Sequence, residues 1–362
     1  MGVVRAAQPW LVTPKEAIVA STIHATGPGR VNLIGDHTDY NSGVALPMAI
    51  GLGIDASWTP GEGSDVVVTS EAYRNDAVHL SIPMDAEDLT RIEPGWARLI
   101  AAMLHLVGPV GPGRLHLAST LPTGAGLSSS AALCVALANL FGSPGSAHHI
   151  ARMCQEAEHL IGVPVGLMDP LVCAGGQAGH ALSIDFFSGA THQVRLPPSV
   201  DVVIVDSGLR RDLRTAPYAA RVAECRQGEQ IVGVLGRASL SDLQAISDPL
   251  IHRRARHVVT ECTRVHGVAE ALGSTDLVLA GSLLDEGHRS LSADFEVSTP
   301  DLDALVADLR QRPGVHGARL TGAGFGGCVV LLADKDAVDP AELGRPAWVV
   351  EAVDGTVARS AS

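Results

Sequence analysis

Ionisable and hydroxyl side chains crowd one short segment, GPGRVNLIGDHTDYN from Gly27 to Asn41. Arg30 precedes the apolar residues Val31, Leu33 and Ile34, and Asp36, His37, Thr38 and Asp39 follow them. An Asx-type turn accounts for one of the two acids. It does not account for Arg30, Asn32, Asp36, His37, Thr38 and Asp39 together. Short acceptors at that density suit a polyol, whose hydroxyls a carboxylate binds by charge-assisted hydrogen bonds. A strand over the apolar run would hold the arginine at one end and the acids at the other.

A second cluster is LPTGAGLSSSAAL, Leu121 to Leu133. Gly124, Ala125 and Gly126 are small enough for backbone to approach a ligand. Leu127 and Ser128, Ser129 and Ser130 lead into a run that is apolar on nearly every face, read as a buried helix with serine capping. A glycine-rich loop at a helix N-terminus is an anion site, most naturally for the phosphates of ATP. The plainer alternative is a tight turn with a serine cap. The chain has two lysines, Lys15 and Lys335, and neither follows such a loop, so phosphate chemistry here works without the lysine of a G-x-x-x-x-G-K-S/T motif.

Two carboxylates stand in CQEAEHLIGVPVGLMDPL. Glu158, late on a helix, reads by itself as solvated. Asp169 lies among Val165, Leu167, Met168, Pro170 and Leu171, where a carboxylate needs a partner, and Arg30 is the candidate. A fourth segment, LTGAGFGGCVVLL, carries G-x-G-x-x-G at Gly322, Gly324 and Gly327. A dinucleotide fingerprint needs a helix next, whereas CVVLLAD reads as a strand, so the segment is expected to be a strand, glycine turn and strand.

The elements that must position these residues are mixed. VVRAAQPWLV, AIVAST and DVVVTS alternate as strands, and SAHHIARMCQEAEHLIG reads as a helix ending at a glycine. VPVGLMDPLVCAGGQAG reads as a loop and HALSIDF as a strand. VDVVIVDSG opens a second half. There the helical stretches PYAARVAECRQGEQIVGVLG, DPLIHRRARHVVTECTRVHGVAEALG and DLDALVADLRQR precede the strands GARLTG, CVVLLAD and AWVVEAV. Two α+β halves, residues 1–195 and 196–362, are expected.

Composition narrows the function class. A net charge of −13 without a basic run disfavours nucleic acid and anionic membrane as partners and favours small molecules. The six cysteines form no C-x-x-C pair, which suits reduced, buried thiols in a cytoplasmic protein. No signal peptide or membrane-spanning apolar run is read.

From Gly27 to about Leu332 the chain resembles the galactokinases of the GHMP kinase superfamily. GRVNLIGDHTDYN resembles their signature, LPTGAGLSSSAAL the ATP loop and LTGAGFGGCVVLL the third motif. AEHLIGVPVGLMD, GQAGHALSID, RRARHVVTE and EGHRSLSADFEVSTPDLD also have counterparts there. The resemblance implies an α+β GHMP kinase fold, with an N-terminal half like domain 2 of ribosomal protein S5, a ferredoxin-like C-terminal half and the active site in the cleft between. It implies transfer of phosphate from ATP, with Mg²⁺, to the anomeric hydroxyl of galactose, by a monomer.

Residue by residue, Asp169 matches the catalytic aspartate and Arg30 its arginine partner. Ser130 and Glu158 match the Mg²⁺ ligands, and Gly124 to Ser130 the phosphate loop. Asp36, His37, Thr38 and Asp39 match the sugar-binding run, and Tyr218 the tyrosine that contacts the sugar. Three positions depart from the pattern. Asp36 stands where the family commonly has Glu, one methylene short of the sugar's C6 hydroxyl. Glu158 and Asp169 are one residue closer than usual, and Pro170 replaces a polar residue. Related sugar-1-kinases, for N-acetylgalactosamine, arabinose or a uronic acid, and non-catalytic sugar sensors share the resemblance. Retention of Ser130, Ala131, Arg30 and Asp169 favours catalysis.

Overall fold

A computed structural model of the chain describes residues 21–73, 76–142, 145–163, 165–209, 216–355 and 357–359. The segments VVRAAQPWLV and AIVAST, read above as strands, lie outside these residues or nearly so. In chain order the first strands are β1 (Ile23–Asn32), β2 (Val44–Ala45), β3 (Pro47–Pro60), β4 (Asp65–Ser70), β5 (Val78–Ser81), β6 (Gly113–Ser119), β7 (His180–Asp185) and β8 (Thr191–Arg195). The later ones are β9 (Val200–Asp206), β10 (Val315–Thr321), β11 (Cys328–Asp334), β12 (Ala347–Val350) and β13 (Val357–Arg359). The helices are α1 (Ala97–Leu106), α2 (Ser129–Leu140), α3 (Ala147–Leu160), α4 (Met168–Gly175), α5 (Ala216–Val232), α6 (Pro249–Gly273), α7 (Leu277–Ala293) and α8 (Pro300–Arg310).

The strands form three sheets, ordered β13-β1-β3-β6-β4-β5, β2-β7-β8 and β10-β11-β9-β12. Pairing is antiparallel except between β4 and β6. The chain changes sheet between β8 and β9. Yet one apolar core runs continuously from Val31 and Leu137 to Val258 and Leu320. A smaller one lies between α8 and the strands β9 and β11. No helix among the described residues is long and apolar enough to cross a membrane. All six cysteines are buried, as expected.

Sequence and structure differ at three elements that bear on function. The strand was expected over Val31 to Ile34, but β1 covers IHATGPGRVN and ends at Asn32. Its glycines are explained by α2 and the loop that leads into it, which lie directly against it. A Cβ on Gly27 would meet the carbonyl oxygen of Ala132 at 1.9 Å, and one on Gly29 that of Leu127 at 2.7 Å. Strand propensity yields here to close approach of a helix. The expected loop before β7 contains α4, which places Asp169 in a first helical turn, where the helix dipole favours a carboxylate. Helix α7, with two glycines and scattered serines breaking its apolar pattern, was not read from the sequence.

Candidate active site

Arg30 and Asp169 meet across 139 residues of chain. Arg30 projects from β1 and donates Nε to Asp169 Oδ1 at 2.7 Å and Nη2 to Oδ2 at 2.6 Å. Such a two-point clamp orients the carboxylate as well as neutralising it. Nη1 donates to the carbonyl of Gly126 at 2.7 Å, so the same guanidinium also anchors the glycine loop. Burial by itself would lower the pKa of Arg30, but the Asp169 charge and hydrogen bonds outweigh it and raise the value. The arginine side chain is 9% exposed and that of Asp169 33%, so part of the aspartate side chain is in contact with solvent.

The loop preceding α2 buries Ala125 and Leu127 and leaves Gly124 and Ser129 exposed. Its carbonyls are tied inward: Leu127 accepts from the Arg30 N–H at 3.2 Å and Ala125 from Cys328 Sγ at 3.2 Å. The three serines were expected to cap the helix. Ser128 occupies the cap position, but in a left-handed conformation (φ 63°, ψ 49°) and without a capping bond. Its hydroxyl donates to Asp169 Oδ2 instead. The Ser130 hydroxyl lies close enough to Glu158 to lower its pKa, so the two residues assigned to a metal are near one another despite the short interval to Asp169. Burial pushes the Glu158 pKa up, the Ser130 hydroxyl opposes this, and the nearby Asp169 charge adds to it.

The run from Asp36 to Asp39 divides more sharply than its sequence suggests. Asp36 is 2% exposed; its Oδ2 accepts from Arg319 Nη2 at 2.8 Å and its Oδ1 from the Gly322 N–H at 2.7 Å. Thr38 is fully buried, its hydroxyl between the carbonyls of Gly35 (2.8 Å) and Val44 (2.7 Å), which closes the turn. Both side chains are thus engaged within the protein, where they hold the segment in place. His37 packs against Phe295 with ring centroids 4.6 Å apart, and burial pushes its pKa down to about 3, leaving the ring neutral. Asp39 is partly exposed. Burial, with the Asp169 charge adding to it, pushes its carboxyl up to about 6.

Tyr218 on α5 joins this group, 5.9 Å from His37 and 6.0 Å from Tyr40 between ring centroids. Its pKa is raised, first by burial and then by the charges of Asp39 and Asp169. Arg221 and Glu224 of the same helix place it: Arg221 Nε donates to the Phe295 carbonyl at 2.6 Å, and Glu224 accepts from the buried Arg254 of α6 at 2.6 Å. These elements thus bring together a clamped aspartate, a glycine loop at a helix start, a second aspartate and a tyrosine.

Comparison with known proteins gives these residues a family. Residues 16–60 match the galactokinase galactose-binding signature, residues 96–177 the GHMP kinase N-terminal domain and residues 268–344 the GHMP kinase C-terminal domain. The chain is 40% identical over 329 residues to galactokinase of Canis lupus familiaris, covering 85% of this chain and 83% of that one. With galactokinase of Homo sapiens it is 39% identical over 332 residues, 86% and 84% of the two chains. The chain belongs to the galactokinase family. The crystal structure of Lactococcus lactis galactokinase complexed with galactose superimposes with a TM-score of 0.84 at 28% identity, covering 94% of this chain and 95% of that one. Methanococcus jannaschii mevalonate kinase shares the fold, with a TM-score of 0.67 at 18% identity over 94% and 100% of the two chains. The fold is that of the GHMP kinases, as expected.

Several residues of this galactokinase-family site were not read from the sequence. Arg319 of β10 is wholly buried and its Nη2 bridges Asp36 to Glu261 Oε1 of α6 at 2.7 Å. Glu261 also accepts from the Gly35 N–H at 3.0 Å and from Arg264 at 2.9 Å, and His257 contacts the Asp36 carbonyl at 3.2 Å. Burial would push Glu261 up, but the Arg319 and Arg264 charges hold it well below the usual carboxylate range. Gly166 was also missed. A Cβ there would lie 3.0 Å from Asp39 Oδ2, so its lack of a side chain keeps that oxygen open.

Proposed function

We propose that this protein transfers the γ-phosphoryl group of ATP to the C1 hydroxyl of D-galactose, giving galactose 1-phosphate and ADP. The observation that carries the reading is the Arg30 and Asp169 clamp, tied on one side to the glycine loop and lying on the other beside Asp39 and Tyr218. Asp39 and Tyr218 orient the sugar and Asp169 accepts the proton of its C1 hydroxyl. The oxygen bonds to the γ-phosphorus as the bond to the ADP oxygen breaks. Arg30 lies where negative charge gathers, and phosphoryl transfer asks mainly for such positioning and neutralisation.

Mg²⁺ fits the donors. No group of three His, Cys, Asp or Glu gathers for a metal among the described residues, while Ser130 and Glu158 offer two oxygens beside the loop. That suits an ion usually held by one or two carboxylates and substrate phosphates. When bound it would neutralise charge on the phosphates. Ser130→Ala is expected to raise the Mg²⁺ concentration for half-maximal rate by roughly tenfold or more, checked by metal titration at saturating ATP and sugar. An unchanged titration removes Ser130 from that role.

The titration of Asp39 sets the acid limb. It is ionised above about 6 and takes up a proton as pH falls through that value. The charge-assisted bonds to sugar hydroxyls are then lost, and kcat/KM for the sugar is expected to fall by about tenfold per pH unit well below that point. Asp39→Asn should flatten this limb; a limb unmoved by the substitution rejects the assignment.

The reading is tested by ADP release over a panel of free hexoses and pentoses, with the phosphorylated position identified by phosphorus NMR. Turnover of galactose at C1 supports it, and no turnover with any sugar returns the chain to the sensor reading. Engagement of both Asp36 oxygens within the protein favours a second reading, in which sugars altered at C6, such as arabinose or a uronic acid, are accepted beside galactose.

A further inference from the structure

Asp169 has more donors than a base awaiting its substrate needs. A carboxylate oxygen has about two acceptor sites. Oδ2 receives both Arg30 Nη2 and the Ser128 hydroxyl, and Oδ1 receives Arg30 Nε. Arg30 cannot withdraw: it is buried, it carries the countercharge, and it is fastened to the Gly126 carbonyl. The Ser128 hydroxyl is released by rotation about one side-chain bond. Ser128 is also held in a left-handed conformation that favours glycine (φ 63°), with none of the helix-capping contact that would justify a serine there. Strain of this kind persists where the side chain has work to do.

We infer that Ser128 is a placeholder for the acceptor hydroxyl: in the substrate-free protein its hydroxyl fills Oδ2 of Asp169, and when ATP enters the loop it turns to the γ-phosphate and opens Oδ2 to the sugar. Arrival of the nucleotide thereby frees the second oxygen of the base. The inference rests on the phosphoryl-transfer reading above. It makes Ser128 a point of coupling between the two substrates, distinct from the metal-side Ser130 and the exposed Ser129.

The test compares Ser128→Ala with Ser128→Gly in the full chain. Both remove the hydroxyl, but only the glycine relieves the left-handed backbone. Galactose is titrated calorimetrically without nucleotide and with a non-hydrolysable ATP analogue and Mg²⁺. In the wild type the analogue is expected to tighten galactose binding. Both variants should bind galactose about three- to tenfold more tightly than wild type without nucleotide, since no hydrogen bond has to be displaced. The analogue should then add little, and kcat and the KM for galactose should both fall. Nucleotide-free affinities within twofold of wild type overturn the inference. So does an altered Ser128→Ala beside a wild-type-like Ser128→Gly, which would mark a purely conformational role. A wild-type protein that neither binds nor phosphorylates galactose removes the proposed function and this inference with it; an active wild type with unaltered variants removes this inference alone.

Discussion

Asp169→Asn is expected to lower kcat by roughly 10²–10⁴-fold, the usual worth of a positioned proton acceptor, while ATP continues to bind. The substitution keeps size and one acceptor oxygen but turns an N–H₂ group toward donors. Arg30 Nη2 and the Ser128 hydroxyl would then face a group unable to accept from both. Part of the effect therefore falls on stability. Removing one partner of a buried pair costs about 3–5 kcal/mol, and less here because a third of the Asp169 side chain is in contact with solvent. ADP release should accordingly be expressed per mole of folded protein, with ATP binding measured by calorimetry beside it. A variant with near-wild-type turnover would remove Asp169 from the chemistry, whatever its melting temperature.

The largest stability effect is expected at Arg319. Arg319→Met leaves Asp36 and Glu261 buried without their shared cation, and a loss of about 3–5 kcal/mol is expected, a large part of the ~5–15 kcal/mol that holds an ordinary domain together. Thermal or urea unfolding checks it. The loss has a pH signature. In the wild type Glu261 is held below its ordinary value, so its contribution is fully present above that ordinary value and fades as pH falls through the lowered one. Asp36, raised by burial although Arg319 opposes it, works in the opposite sense and takes its proton first. The deficit of Arg319→Met should thus be greatest near neutrality and shrink in acid. A melting curve matching wild type at pH 7 would show that the clasp contributes little.

What the sequence reveals about this site depends on how local the cause is. Arg30, Asp169 and the glycine loop announce themselves through residue type: an arginine before a run crowded with ionisable groups, a carboxylate in apolar company, small residues before a buried helix. The role of Asp36 is not local. Its partners Arg319 and Gly322 lie more than 280 residues away, and no spacing within GDHTDY distinguishes an acid that faces a sugar from one that faces an arginine. Ser128 is hidden for a different reason. A serine before a helix reads as a cap, and only its backbone angles show that the hydroxyl is turned elsewhere. The strand over GPGRVN is obscured because its glycines answer to the helix pressed on them.

Strand β13 returns to the edge of β1, pairing His24 with Arg359 and Thr26 with Val357. The nearby turn is bound the same way, through Val353 to Ala49 and Gly355 to Gly176. On the ribosome, then, this edge of the strand that bears Arg30 gains its partner only after residues 357–359 have been made. Contacts of such long reach slow folding, and an unpaired strand is a target for other chains meanwhile. Chaperone demand during synthesis should be concentrated on that edge, and it should end once residues 357–359 have emerged.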